Sequence, residues 1–281
     1  MNTVQMLTRG KNRPYEQLEV QLEEDCGLVW FQMQASPRPC FTPELLNDIR
    51  TALNDLTFPG EGASLRYLVL GSNVPNVFNL GGDLNRFADF IRAKDREALL
   101  HYARACIDCL YRNSTGHGRN ITTISLVQGD ALGGGFEAAI SSDVLIAERS
   151  AKMGFPEILF NLFPGMGGYS FLSRKIGHRL AEKMILSGRL YSAEELHDMG
   201  VVDRLAEDGY GEQAVYDYIN HEDKVRNGIS AFRAARKCTQ TLKYDELESV
   251  TEIWVDAALN LRDRDLRMME RLVSRQSARN A

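Results

Sequence analysis

Apolar positions along this chain recur at two periods, and the switch between them separates strands from helices. Leu18 to Leu22 (LEVQL) alternates, and Gly27 to Met33 (GLVWFQM) is rich in β-forming residues. The two predict neighbouring strands joined by a turn at Glu23–Cys26. The period then lengthens, so that Leu45, Leu46, Ile49, Ala52, Leu53 and Leu56 share one helical face. Thr42 and Pro43 open that helix, Thr as an N-cap acceptor and Pro at the first position, where no N–H is missed. Phe58–Pro59–Gly60 is expected to stop it. Tyr67 to Gly71 (YLVLG) is wholly apolar, as in the middle of a parallel sheet.

Farther on, strand and helix patterns alternate. In Val77 to Leu84 (VFNLGGDL), Gly81 and Gly82 sit between a strand and a helix that begins near Asp83 and carries Leu84, Phe87, Ala88 and Ile91. A second helix is predicted from about Asp95 to Arg112, followed by a loop over Asn113–Asn120 with His117 in a flexible Gly-His-Gly. Ile121 to Gln128 (ITTISLVQ) reads as a buried strand, FEAAIS from Phe136 as the first turns of a helix, and Asp143 to Ala147 (DVLIA) as another strand. Such alternation is the signature of βαβ units and an α/β class. Beyond Gly168 the pattern is mainly helical: 169–175, 178–186 ended at Gly188, a helix opened by a capping box at Ser192–Glu195 and closed at Gly200, then 212–221, 227–243, 245–262 and 264–278. Val201 to Leu205 reads as a short strand. The expected organisation is a flexible N-terminal arm (1–14), a catalytic core (15–206) and a helical region (207–281) that packs on its own core or on another subunit.

Composition narrows the function. The net charge is −5, so no global basic field recruits nucleic acid. No apolar run approaches the roughly 20 residues of a membrane span. The first residues are polar, without the apolar segment of a signal peptide, and the five cysteines form no dense framework; both point to the cytoplasm. There is no GxSxG elbow, Walker sequence or GxGxxG after a strand, which sets aside serine hydrolases, NTPases and ordinary dehydrogenases. Cys106 and Cys109 form a CxxC inside a helical pattern, without the second pair or histidines a zinc site needs. They read as two small residues one turn apart.

The candidate chemistry lies between Gly129 and Gly168. Gly133, Gly134 and Gly135 link the strand ending near Gln128 to the following helix, and a glycine turn there points bare N–H groups at a ligand. Two carboxylates flank it in apolar company: Glu137 beside Phe136 and Ala138–Ala139–Ile140, and Glu157 between Phe155–Pro156 and Ile158–Leu159–Phe160. One reading is structural, with Glu137 favouring the helix dipole and Glu157 solvated in a loop. The other is an acid/base pair beside an oxyanion site, since a carboxylate in apolar surroundings costs free energy unless paired or protonated. Leu132, Met166 and Trp254 are candidate pocket residues, with core packing the alternative.

Taken in order, VFNLGGDL, ISLVQGDALGGGFEAA, DVLIAE, MGFPEILFNLFPGMGG and LSGRLYSAEELHDMGVVDRL resemble the crotonase (enoyl-CoA hydratase/isomerase) superfamily from about residue 28 to 206. Within it the chain looks most similar to the diffusible signal factor synthases, on VFNLGGDL, GFEAA, the PEILFNLFPGMG run and the tail from Thr251 to Val273. The resemblance implies a spiral of ββα units with a helical C-terminal region that covers the active site and forms homotrimers or dimers of trimers. It implies that Gly82 and Gly134 N–H hold a thioester carbonyl and that Glu137 and Glu157 are catalytic, Glu157 removing the α-proton of a 3-hydroxyacyl thioester and Glu137 protonating the departing hydroxyl. It implies a substrate on acyl carrier protein phosphopantetheine or coenzyme A, hydrolysis to a free cis-2-unsaturated signal acid, no metal or redox cofactor, and a possible sensor kinase partner. Arg86, Arg92, Lys94 and Arg96 are the candidate dock for an acidic carrier protein, against a solvated helix face. The competing functions are an enoyl-CoA hydratase of fatty acid oxidation and a regulatory protein that binds acyl thioesters or a sensor.

Overall fold

The computed structural model describes residues 5–6, 15–55 and 65–279, with side chains to residue 272. The expected helix stop at Phe58–Gly60 and most of the N-terminal arm lie outside them. Of the arm, strand β1 (Gln5–Met6) pairs antiparallel with β2 (Leu18–Glu23), which pairs antiparallel with β3 (Leu28–Met33). Four parallel strands follow outward: β4 (Tyr67–Ser72), β6 (Thr122–Val127), β8 (Val144–Glu148) and β11 (Arg204–Ala206). A smaller sheet stands beside them in the order β10 (Leu190–Ser192), β9 (Lys152–Gly154), β7 (Asp130–Leu132), β5 (Val77–Asn79).

Every residue of β3, β6 and β8 is buried, because both faces of the large sheet are covered. Period-two alternation divides them. Val29, Phe31, Met33, Leu68 and Leu70 enter the main core, beneath α1 (Pro43–Asp55), α3 (Arg96–Thr115) and α4 (Gly134–Ser141). Leu28, Trp30, Tyr67, Val69, Ile124 and Ile146 face the other way, onto Val215 and Ile219 of α8 (Gly211–Lys224). The segment beyond residue 206 thus completes the second face of the sheet before its later helices turn to the site.

Local chemistry sets the helix ends. Thr42 Oγ1 accepts the Leu45 N–H at 3.0 Å, and Asp83 accepts N–H groups of Asn85 and Arg86 at the start of α2 (Leu84–Ala93). Ser192 and Glu195 form the capping box of α7 (Ala193–Asp198). The remaining helices are α5 (Gly168–Ile176), α6 (His178–Ser187), α9 (Arg226–Thr239), α10 (Tyr244–Leu259) and α11 (Asp263–Arg279). Helix α10 packs on α3, and α11 on α2 and the 3-10 turn Glu157–Phe160.

Two expectations change. The loop over Asn113–Asn120 is ordered: α3 runs on to Thr115, Gly116 caps it in the left-handed region, and a 3-10 turn follows. Asn113 is buried and donates to Ser141 Oγ and Ser142 Oγ, both at 2.9 Å, so a polar residue reads as loop while serving as a core link. His117 is partly buried with its Nε2 enclosed, not carried on a flexible loop. The strand expected at Val201–Leu205 lies at Arg204–Ala206, where it can pair with Ile146–Glu148.

Candidate active site

Two glycine turns meet where the large sheet gives way to the small one. The turn after β5 is held by two backbone bonds, Leu80 N–H to Pro39 O and Phe41 N–H to Gly81 O, and by one to a side chain, Gly81 N–H to Asn79 Oδ1, each 2.8 Å. Its neighbour, at the start of α4, comes so close that a Cβ on Gly81 would lie 2.9 Å from Leu132 O and 3.0 Å from Gly134 N. Gly82 N in turn stands 3.4 Å from where a Cβ of Gly134 would be. Only glycines allow two backbones to meet this way. Gly134 N–H is the first of its helix and has no partner within it, and among the described residues no protein oxygen accepts it or Gly82 N–H. The two expected oxyanion donors therefore lie side by side.

Both carboxylates open on the same apolar cavity. Glu137, on the first turn of α4, is 1% exposed. Its Oε1 accepts N–H groups of Met166 at 2.9 Å and Gly168 at 2.7 Å. Burial pushes its pKa up to about 7 while these two bonds favour the anion and hold it back. Glu157 opens the 3-10 turn, and its Oε2 is buried with no hydrogen-bond partner among the described residues. Burial, and then the charge of Glu137, push it up to about 8. The two donors on Glu137 favour the anion there, and the charge of Glu137 favours the protonated form of Glu157.

The cavity walls include Phe41, Leu80, Leu84, Phe87, Phe160 and Leu162 from the core, Trp254 from α10, and Met269 and Leu272 from α11. Of the expected pocket residues, Met166 and Trp254 face the cavity. Leu132 does not: its side chain packs with Val77 and Leu80 in a separate apolar cluster. In a three-residue strand, the direction of a side chain has no sequence period to betray it. Cys106 and Cys109 sit on the cavity-facing side of α3 as free thiols, and among the described residues no group of His, Cys, Asp and Glu is placed to hold a metal.

Trp254 packs tilted against Phe87, at 5.1 Å and 60°, and Phe87 meets Tyr102 edge-on at 5.1 Å. The Tyr102 hydroxyl donates to Phe41 O and accepts the Asp83 N–H at 3.1 Å, pinning the residue after Gly82. Sequence reasoning missed this residue, because a lone Tyr in a helix carries no motif. The four cations considered as a carrier dock are engaged within the chain. Arg86 pairs with Asp83 at 3.5 Å and Glu44 at 3.8 Å, Arg96 with Asp256 at 2.9 Å, Arg92 with Glu270, and Lys94 with the Leu259 carbonyl. They tie α2 and the start of α3 to their neighbours.

This architecture is the crotonase fold: an enoyl-CoA hydratase/isomerase structure from Xanthobacter autotrophicus superposes with a TM-score of 0.76 at 20% identity, covering 95% of this chain and 96% of that one. The enoyl-CoA hydratase/isomerase family model matches residues 24–208, and the chain belongs to that family. Curated relatives include the enoyl-CoA isomerase/hydratase of Zymoseptoria tritici, 32% identical over 73% of this chain and 61% of its own length. The mitochondrial methylglutaconyl-CoA hydratase of Rattus norvegicus is 32% identical over 69% of this chain and 59% of its own. The chain thus spans about three-fifths of the length of these relatives.

Proposed function

We propose that the protein adds water across the 2,3-double bond of an enoyl thioester, and catalyses the reverse dehydration of a 3-hydroxyacyl thioester. The observation that carries this reading is the pair of carboxylates on one cavity, Glu137 with two N–H donors on its Oε1 and Glu157 with its Oε2 enclosed and unpartnered among the described residues, so that one is a base while the other is an acid. The Glu137 carboxylate takes a proton from water as the oxygen adds to C3. The double-bond electrons move toward the thioester carbonyl, whose developing negative charge Gly82 and Gly134 N–H accept. Glu157 gives its proton to C2. The product is a 3-hydroxyacyl thioester, and the pair's proton has moved from Glu157 to Glu137. Dehydration starts from that exchanged state, with Glu157 taking the α-proton and Glu137 protonating the leaving hydroxyl. The names of the curated relatives, which are hydratases and isomerases of coenzyme A thioesters, favour the same chemistry. The test is hydration of 2-enoyl-CoA by the purified protein: disappearance of the conjugated enoyl thioester with formation of the 3-hydroxyacyl thioester is expected, and no conversion in either direction would refute it.

A second reading is synthesis of a 2-unsaturated signal acid from a 3-hydroxyacyl thioester on acyl carrier protein, with hydrolysis of the thioester. Its support is that the stretch resembling the signal synthases, Thr251 to Val273, supplies Trp254, Met269 and Leu272 to the cavity wall. Incubation with 3-hydroxydodecanoyl acyl carrier protein separates the two, since only this reading yields free acid. Assembly of copies would use α9, none of whose residues is buried and whose Phe232 is 67% exposed.

A further inference from the structure

Beside the active-site cavity lies a second, smaller and mainly apolar chamber. Phe41, Cys109 and Leu110 line both, so these three side chains form the partition between them. Beyond it the wall is apolar, with Ile49 and Leu53 of α1 on one side and residues of β3 and β4 on the other. His117 also lines the chamber, and its Nε2 has no hydrogen-bond partner among the described residues. Burial first, then Arg112 and Arg119, push its pKa down to about 4, so the ring brings no charge into the chamber at neutral pH.

Protein interiors are close-packed, and voids larger than a water are few. An apolar void stays dry and takes an apolar ligand. This void adjoins the cavity that holds both carboxylates and the two N–H donors, and its lining is apolar apart from Asn113, His117 and Ser141. We infer that the tail of a long acyl chain passes the Phe41–Cys109–Leu110 partition and fills the chamber, so that Leu110, Ile49 and Leu53 set how long a chain the enzyme accepts. The inference rests on the thioester reading of the site. The head of the substrate stays at Gly82 and Gly134, and short acyl chains end before the partition. Each methylene buried in such a chamber tightens binding roughly fourfold.

The experiment is a calorimetric titration of the full chain with saturated acyl-CoA from butyryl to tetradecanoyl, for the wild type, Leu110→Trp and Leu53→Trp, with circular dichroism to verify folding. In the wild type, affinity should rise with chain length through dodecanoyl. In Leu53→Trp the rise should stop earlier, and in Leu110→Trp earlier still. If a tryptophan variant does not fold, the milder Ile49→Phe and the partition-opening Leu110→Ala take its place, the first shortening the rise and the second steepening it for long chains. In a parallel hydration assay, the ratio of kcat/KM for dodecenoyl over hexenoyl thioester should fall at least about tenfold in the filled variants. An identical length dependence in wild type and variants overturns the chamber's role. Saturated thioesters bind without reacting, so length-dependent binding without hydration overturns the proposed reaction and leaves the chamber standing. Hydration whose length profile ignores these substitutions does the reverse.

Discussion

Gly133 leaves open the space that the Glu157 carboxylate occupies: a Cβ on Gly133 would stand 2.5 Å from Glu157 Oε1. The same glycine has φ +53°, which disfavours L side chains. Gly133→Ala should therefore act twice. The backbone strain costs about 1–3 kcal/mol, and the carboxylate, the far end of a flexible side chain, swings from its position. The expected outcome is a folded protein with a lower thermal midpoint and a kcat that falls far more than substrate affinity. Unchanged kcat would show that Glu157 need not stand there.

Glu137→Gln and Glu157→Gln should each lower kcat by about 10²–10⁴-fold, the usual worth of a positioned acid or base. Because the pair works with one proton shared between them, kcat/KM of the wild type should be bell-shaped in pH, its arms set by groups near about 7 and 8. Each Gln variant should lose one arm of the residual profile. A flat profile across that window would refute the assignment.

The same shifts bear on stability. Both carboxyls are raised above the ordinary 4.5, so between 4.5 and about 8 the folded chain holds protons that the unfolded chain has released. Stability from these groups is full below 4.5 and is lost as pH rises through about 7 and 8. Glu157→Gln, which removes a carboxylate whose Oε2 is enclosed without a partner, should gain on the order of 2 kcal/mol relative to wild type at the alkaline end, and the gain should vanish at the acid end. Denaturant midpoints at the two extremes check the sign.

Tyr102→Phe should keep the ring against Phe87 and remove only the hydroxyl. That leaves the Phe41 carbonyl and the Asp83 N–H without their partner, at a cost of about 1–3 kcal/mol. Loss of the pin beside Gly82 should also reduce kcat more than it raises KM. An equal effect on both would assign Tyr102 to packing alone.

Arg92→Ala and Arg96→Ala should leave turnover of coenzyme A thioesters close to wild type, since exposed ion pairs contribute little. If an acidic carrier protein docks on this face, the same variants will raise KM for carrier-borne substrate alone. Comparing the two substrates at low and high salt distinguishes these outcomes.

Much of this site was legible in the sequence, for a physical reason. A carboxylate among apolar neighbours and a glycine run between strand and helix are local anomalies, and Glu137, Glu157, Gly82 and Gly134 all carry one. The β-branched and apolar runs at Leu28–Met33 and Thr122–Val127 announced inner strands as plainly. What stayed hidden depends on contacts distant in the chain. Nothing near Glu137 foretells the N–H groups of Met166 and Gly168, about thirty residues on. Cys106 and Cys109 were legible as sharing a face, but not that the face borders the cavity. Strands β7, β9 and β10, three residues each, are shorter than any period can reveal.

The reacting groups and the far wall of the cavity come from separate parts of the chain. Carboxylates and donors lie between Gly82 and Glu157, inside the stretch shared with the family, whereas Trp254, Met269 and Leu272 lie beyond its last matched residue, 208. A change in either part therefore leaves the other in place. Substitutions in the last two helices reshape one wall of the cavity while the carboxylates and the glycine N–H groups keep their places.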